Sequence, residues 1–329
     1  MKRALVTGGA GFVGANIVRR LLADGCETHC ILRKATDSWR LKDIDAQIQT
    51  HRADLKDDEI VPEIVKRVRP DLIFHLAAYG AYTWQTQNDL FRAVNVESTV
   101  NLLNACQEVG FEAFINAGTS SEYGGKDHAP DEEEETLPET MYAKTKLKGT
   151  QECTRIAREH NLPVVTLRLY SCYGAYEEPR RLMPTLIMRG LEHKLPPLVN
   201  PDVAHDFVYI DDVCDAFMLA AKEAKRLPGA VYNVGSGIQT KMQDVVSIAR
   251  QLMGIEAEPH WGSMENRQFD SHVWVANITR IRADLGWVPR TNLRDGLART
   301  IEWFQSNPDM RDHYQRATQT SGAAPAASD

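Results

Sequence analysis

No apolar run in this chain approaches the roughly 20 residues that a membrane-spanning helix needs, so no membrane partner is expected. Strand-forming residues begin at Ala4, which leaves no room for a signal peptide and makes the cytoplasm the expected compartment. The six cysteines, at 26, 30, 106, 153, 172 and 214, contain no Cys-x-x-Cys pair and join no histidine cluster. They read as reduced, mostly buried thiols, and neither a metal nor a disulfide is expected. Positive charge is also short: 38 Lys and Arg stand against 45 Asp and Glu, a net of −7. A surface that follows nucleic-acid backbone needs clustered cations, so no nucleic-acid partner is expected and only a local cationic pocket for a small anion stays open. No internal repeat runs through the sequence. Residues 315–329, ending Ser-Gly-Ala-Ala-Pro-Ala-Ala-Ser-Asp, lack apolar periodicity and are expected to be disordered.

What the chain does have is material for a large core, 43% of its 329 residues being hydrophobic, and a length that suits two domains or one domain with a lobe. The stretch Thr7-Gly8-Gly9-Ala10-Gly11-Phe12-Val13-Gly14 organises it. Before the glycines, Arg3-Ala4-Leu5-Val6 is short and β-compatible; after them, Ile17, Val18, Leu21 and Leu22 recur at helical spacing up to Gly25. Strand, glycine turn and helix together hold a dinucleotide pyrophosphate, because glycines admit the anion without Cβ clashes and the helix N-terminus offers free N–H groups and a positive dipole end. Further strands at 28–32, 48–51, 72–78, 113–117 and 164–170 alternate with helices at 60–68, 90–109 and 142–160. That alternation predicts an α/β fold, a doubly wound parallel sheet of Rossmann type with a smaller C-terminal lobe. The expected boundaries are 1–175 for the dinucleotide domain, with elements contributed by about 206–240, then 176–314 for the lobe. His75 lies inside the nearly continuous apolar strand 72–78 and reads as a hydrogen-bonded core histidine.

The end of the second strand chooses the cofactor. About 20 residues beyond the last motif glycine, an acidic side chain would bind an adenosine ribose and an arginine would accommodate a 2′-phosphate. Arg33 stands there, with Lys34 adjacent and Ser38 and Arg40 close behind, so NADP(H) is expected rather than NAD. Ligands in doubly wound sheets sit beyond the carboxyl ends of the strands, which brings Gly8, Gly11, Phe12, Val13, Gly14, Asp54, Leu55, Ala77, Ala78, Gly80, Thr119, Ser120, Ser121 and Ser171 around one crevice. Tyr142 and Lys146 are four apart on a helix and share one face, where an ammonium would stabilise a phenolate. Thr119 adds a hydroxyl at the end of the fifth strand.

The set Thr7-Gly8-x-x-Gly11-x-x-Gly14, His75-Leu76-Ala77-Ala78, Asn95, Thr119-Ser120-Ser121-Glu122-Tyr123-Gly124 and Tyr142-x-x-x-Lys146 resembles the extended short-chain dehydrogenase/reductase superfamily, in its nucleotide-sugar epimerase/dehydratase/reductase branch. The likeness continues through Leu167-Arg168-Leu169-Tyr170-Ser171-Cys172-Tyr173-Gly174, Asp206-Phe207-Val208-Tyr209-Ile210-Asp211-Asp212-Val213 and Leu285-Gly286-Trp287-x-Pro289, over about residues 3–305. By that resemblance Tyr142 is the general acid/base, Lys146 binds the nicotinamide ribose and tunes the tyrosine, Thr119 orients the reacting oxygen, and Asn95 belongs to the cofactor site. The resemblance also places Arg181, His205 and Arg267 against the diphosphate of a nucleoside-diphosphate sugar, and implies a homodimer through helices 90–109 and 142–160.

Departures from the branch sharpen the reading. Its dehydratases carry an Asp-Glu pair directly after the threonine to remove a hydroxyl, and Ser120 and Ser121 hold those places here, with Glu122 one place too late. Ser171 stands where asparagine is common, and His205 where arginine is. The expected function is therefore an NADPH-dependent reductase of a nucleotide-linked 4-keto-6-deoxyhexose. A 4-epimerase or dehydratase is the alternative, and a non-catalytic dinucleotide-binding sensor the second. Asp211 and Asp212 precede a helical pattern and read as caps, the acidic run 131–135 reads as a solvated loop, and Gly235-Ser236-Gly237 lacks a hydrolase context.

Overall fold

The computed structural model describes residues 1–82, 84–264 and 273–319. Its centre is a seven-stranded, all-parallel sheet built from β1 (Arg3–Thr7), β2 (Glu27–Leu32), β3 (Gln49–Arg52), β4 (Leu72–His75), β5 (Ala113–Thr119), β6 (Val164–Leu169) and, later in the chain, β9 (Ala230–Val234). The order β3-β2-β1-β4-β5-β6-β9 reverses direction between β1 and β4, which is where a doubly wound sheet opens its ligand crevice. Strands β1, β4 and β5 are buried on both faces because helices cover each side. On one side α1 (Phe12–Ala23) and α7 (Ile210–Glu223) pack Ile17, Val18, Leu21 and Phe217 onto Val6 and Phe74. On the other, α2 (Ile60–Val68), α4 (Ser98–Val109) and α5 (Met141–His160) pack Val61, Leu102 and Ile156 onto Leu5, Ile73 and Phe114.

A second sheet of three short strands carries the lobe side: β7 (Ser171–Tyr173) pairs parallel with β8 (Ala204–Tyr209), which pairs antiparallel with β10 (Gln239–Lys241). Around it lie α6 (Leu182–Gly190), α8 (Met242–Met253), α9 (Thr279–Leu285), α10 (Leu293–Ser306) and α11 (Pro308–Gln319). Helix α11 corrects one expectation: residues 315–319 are helical, because Tyr314 anchors the segment, its ring edge-on to Phe304 at 4.8 Å and its hydroxyl donating to the Glu177 carbonyl. Residues 320–329 lie outside the described residues.

Two element boundaries also moved. Strand β4 ends at His75, where its pairing with β1 stops opposite Thr7 and the glycine turn begins, so 76–78 run on as irregular chain. The helix expected over 90–109 begins as α3 (Asn88–Arg92), passes through a wider π turn at Ala93–Glu97 and resumes as α4. Such single π turns inside α-helices gather at functional sites, and Asn95 sits in this one. His75 is the core histidine expected: its Nδ1 meets Thr7 Oγ1 at 2.7 Å and its Nε2 meets Thr99 Oγ1 at 2.9 Å, and burial pushes its pKa down to about 3.

Candidate active site

The glycine turn is a cradle that side chains would fill. Gly8 has φ +69°, and a Cβ there would stand 2.6 Å from the Ala77 nitrogen; a Cβ on Gly14 would stand 2.2 Å from the Gly8 carbonyl oxygen. Gly11 caps α1 without a side chain, so Phe12, Val13 and Gly14 are first-turn residues whose N–H groups have no intrahelical acceptor. A chain of free donors at a positive dipole end, cleared of Cβ atoms, fits a dinucleotide pyrophosphate. Ala77 is drawn onto the turn by its N–H to Thr7 Oγ1 at 3.4 Å, and Ala78 follows, half-buried.

Arg33 and Lys34 are exposed just past β2, and the Arg33 carbonyl takes the Arg52 guanidinium at 3.2 Å. Asp54 is half-buried beyond β3 and accepts the Lys56 N–H at 3.0 Å, with Leu55 buried beneath it. Arg40 is not a third cation for a phosphate. It is buried, donates to the Tyr176 carbonyl at 2.7 Å, the Ala10 carbonyl at 3.3 Å and Glu178 Oε2 at 3.2 Å, and stacks on Trp39. Its charge is spent tying the glycine turn to the chain beyond β7.

Thr119 ends β5 and starts a 3₁₀ turn, accepting the Ser121 N–H at 3.3 Å, while Glu122 Oε1 reaches back to the Thr119 N–H at 3.0 Å. This reciprocal cap holds Thr119 in one orientation. Glu122 has no exposed surface and pairs with Arg168 Nε at 2.8 Å. Tyr142 enters on the first turn of α5, whose start Thr140 fixes by accepting the Ala143 N–H at 3.1 Å. Its phenol faces the Thr119 hydroxyl. Burial pushes the Tyr142 pKa up to about 12, opposed first by the Thr119 hydrogen bond and then by the charge of Arg181. Lys146 lies one turn on, buried, and burial holds its ammonium below the usual lysine range. The charge of Arg181 also favours the Tyr142 phenolate.

Other candidates take more particular places. Asn95 is buried with its amide committed: Oδ1 accepts the Tyr79 N–H at 2.8 Å, and Nδ2 donates to the Tyr79 carbonyl at 2.8 Å and to Thr145 Oγ1 at 2.9 Å. These bonds link α5 to the irregular chain after β4. Gly80 has φ +95°, and a Cβ would lie 2.1 Å from the Phe91 ring. Arg181 precedes α6, donates to the Ala81 carbonyl at 3.1 Å and covers Tyr82. Ser120 is buried, Ser121 half-buried, and Ser171 opens β7 opposite Phe207. His205 packs edge-on to Phe207 at 5.7 Å. Arg267 lies outside the described residues.

Sequence reasoning missed several buried acids. Glu132, in the run read as a solvated loop, is buried and accepts the Asn233 N–H at 2.8 Å. Asp212, read as a cap, sits in the first turn of α7 and accepts the N–H groups of Arg290 and Thr291, each at 3.0 Å. Glu177 leaves Oε2 without a partner among the described residues, and burial pushes its carboxyl up to about 8.

A parallel sheet with a glycine cradle at its switch point, and Thr, Tyr and Lys gathered beyond β5, defines an extended short-chain dehydrogenase/reductase. A model of the NAD dependent epimerase/dehydratase family matches residues 4–235, and the chain belongs to that family. Among curated relatives it is 28% identical to a trifunctional UDP-glucose 4,6-dehydratase/UDP-4-keto-6-deoxy-D-glucose 3,5-epimerase/UDP-4-keto-L-rhamnose-reductase of Arabidopsis thaliana, over 94% of this chain. The chain spans about half of that relative's length, 48%. Among solved structures it is similar to the UDP-glucose 4-epimerase of Thermotoga maritima with UDP-glucose, at TM-score 0.84 and 25% identity, over 93% of this chain and 99% of that one. It is also similar to the UDP-glucuronic acid 4-epimerase of Bacillus cereus in complex with UDP-glucuronic acid and NAD, at TM-score 0.81 and 26% identity, over 92% and 99%. Among the described residues no helix is long and apolar enough to cross a membrane.

Proposed function

We propose that this protein is an NADPH-dependent reductase of a nucleotide-linked 4-keto-6-deoxyhexose. The observation that carries the reading is the commitment of Glu122 to Arg168. Elimination of a hydroxyl needs a second acid/base group beside the threonine, and the carboxylate nearest to Thr119 in the chain is locked away while Ser120 and Ser121 hold the flanking places. Tyr142 is left as the proton donor. Thr119 and Tyr142 bind the keto oxygen between their hydroxyls, and Tyr142, kept protonated by burial, gives its proton to that oxygen. The ammonium of Lys146 and the guanidinium of Arg181 offset the phenolate left behind. When bound, the nicotinamide ring supplies the hydride for C4. The hydroxyls of Ser120 and Ser171 orient the sugar, and Arg181 and His205 serve its diphosphate.

An epimerase returns its cofactor unchanged and gains by keeping it, whereas a reductase exchanges cofactor each turnover and draws on NADPH. Arg33 and Lys34, exposed beyond β2 without a carboxylate among them, support the second pattern. A sensor has no use for Thr119, Tyr142 and Lys146 together, so the enzyme is preferred. The protein works as a homodimer through α4 and α5, which sedimentation at micromolar concentration tests. For the ligand pair, thermal shifts with NADPH, NADH and a panel of nucleotide sugars are the test: the largest joint stabilisation is expected for NADPH with a nucleotide sugar, and none with any nucleotide sugar overturns the reading.

A further inference from the structure

Arg40 joins the two sides of the crevice. It lies on the 3₁₀ helix Trp39–Gln47, a few residues beyond Arg33 and Lys34. Its three nitrogens reach three places: the Ala10 carbonyl inside the glycine turn, the Tyr176 carbonyl and the Glu178 carboxylate. Only 7% of its side chain is exposed, so these bonds form where water competes poorly. Trp39 stacks on the guanidinium and meets the ring of Tyr314 edge-on at 5.6 Å, while the Tyr314 hydroxyl donates to the Glu177 carbonyl. Three consecutive residues, Tyr176 to Glu178, are thus gripped by Arg40 and by the helix packed on its neighbour.

The gripped segment is strained. Tyr176 has φ +68°, a left-handed conformation that an aromatic residue adopts only where its surroundings impose it. Here the Arg40 bond to its carbonyl, at 2.7 Å, and the Arg19 guanidinium 4.0 Å from its ring centre do so. Asn16 of α1 adds a bond to the Ala175 carbonyl at 3.0 Å, just ahead of the strained residue. From Glu178 onward the path is short and stiff. The Glu178 carbonyl accepts the Arg181 N–H at 2.9 Å, and Pro179 between them has its φ fixed by its ring. Arg181 is the cation that the proposed function assigns to the sugar's diphosphate.

This arrangement gives the segment two states. With the Arg40 bonds made, Tyr176 is held strained and Arg181 is held in place; without them, Tyr176 relaxes to an ordinary conformation and takes Glu178 and Arg181 with it. A pyrophosphate seated on the glycine turn fixes Ala10, one of the acceptors on which Arg40 closes. A diphosphate on Arg181 fixes Glu178 from the other end. Each ligand therefore orders part of what the other needs ordered, and such a coupling is reciprocal.

We infer that Arg40 is a positioning residue through which dinucleotide and nucleoside diphosphate bind cooperatively, each tightening the other along the path Arg40, Glu178, Arg181. The inference rests on the reading of the protein as a nucleotide-sugar enzyme. It goes beyond that reading by assigning a linkage between two ligands to a side chain whose nitrogens are all bonded within the protein.

The test is calorimetry with NADP⁺ or NAD⁺ as the dinucleotide and UDP or dTDP as the second ligand. UDP and dTDP carry no sugar, so contact between a sugar and the nicotinamide contributes nothing to the measured coupling. In the wild-type protein the nucleoside diphosphate is expected to bind about 5-fold or more tightly when the dinucleotide is saturating. Arg40→Met keeps an apolar stem against Trp39 and loses the donors, and should bring that ratio to within about twofold of one. A purely structural Arg40 would lower the melting temperature in this variant and leave the ratio standing. Glu178→Gln, which keeps an oxygen for Arg40 and removes the charge, decides the matter if Arg40→Met does not fold: its ratio should fall by about twofold or more. A wild-type ratio of one, or a ratio that the folded variants leave unchanged, overturns the inference and leaves the nucleotide-sugar reading intact. Failure of both dinucleotides, or of both nucleoside diphosphates, to bind the wild-type protein overturns that reading, and the inference with it.

Discussion

Glu122 and Arg168, 46 residues apart in sequence, meet at 2.8 Å behind the end of β5, with 0% and 5% of their side chains exposed. Glu122 spends its other oxygen on the Thr119 N–H and on Thr150 Oγ1, each at 3.0 Å. The pair therefore couples the register of β5 and β6 to the orientation of the threonine that faces Tyr142. Breaking a buried pair by removing one partner leaves an uncompensated charge. Arg168→Met is expected to lower unfolding free energy by about 3–5 kcal/mol, read from urea denaturation. A loss under 1 kcal/mol would show that the pair carries little of the site.

Tyr142→Phe removes the proposed proton donor without emptying its space. Turnover should fall by about 10²–10⁴-fold, the range of a general acid, with NADPH affinity nearly unchanged. Turnover equal to wild type would remove Tyr142 from the mechanism.

Glu177 predicts a pH-dependent stability. Its folded pKa, about 8, lies above the ordinary 4.5. Both states hold the proton below pH 4.5, so the carboxyl costs nothing extra there. As pH rises towards 8 the unfolded chain ionises and the folded chain does not, and stability is lost. Glu177→Gln removes that ionisation. The variant should match wild type near pH 4 and exceed it by roughly 4–5 kcal/mol at pH 8.5. A difference that does not grow with pH contradicts the assignment.

Much of the scaffold was legible because its signals are local. The glycine turn, the buried strand around His75 and the Tyr142 to Lys146 spacing all depend on residues within one turn or strand. Arg40 was counted with Arg33 and Lys34 towards a 2′-phosphate because only the fold brings Tyr176 and Glu178 to it. Glu122 looked displaced from a known pattern, and its role appears only when β5 and β6 are side by side. Glu132 sat in an acidic run that composition assigns to solvent, and the Asn233 N–H that buries it comes from β9. Asn95 sits in a π turn of a helix that periodicity alone reads as continuous.

Arg33 is the residue proposed to set the cofactor preference. A charge-assisted hydrogen bond to a 2′-phosphate contributes about 1.5–3 kcal/mol, so Arg33→Asp should cost about 10–100-fold in NADPH affinity and favour NADH. Tighter binding of NADH by the unmodified protein would refute the argument from this position.

The central claim is net reduction at C4. The protein is mixed with a nucleotide-linked 4-keto-6-deoxyhexose and NADPH, and the absorbance of the reduced cofactor is followed to completion. Stoichiometric loss of NADPH with formation of the 4-hydroxy sugar is the expected result. Interconversion of two non-keto nucleotide sugars with no net change in cofactor would contradict it and make the protein an epimerase.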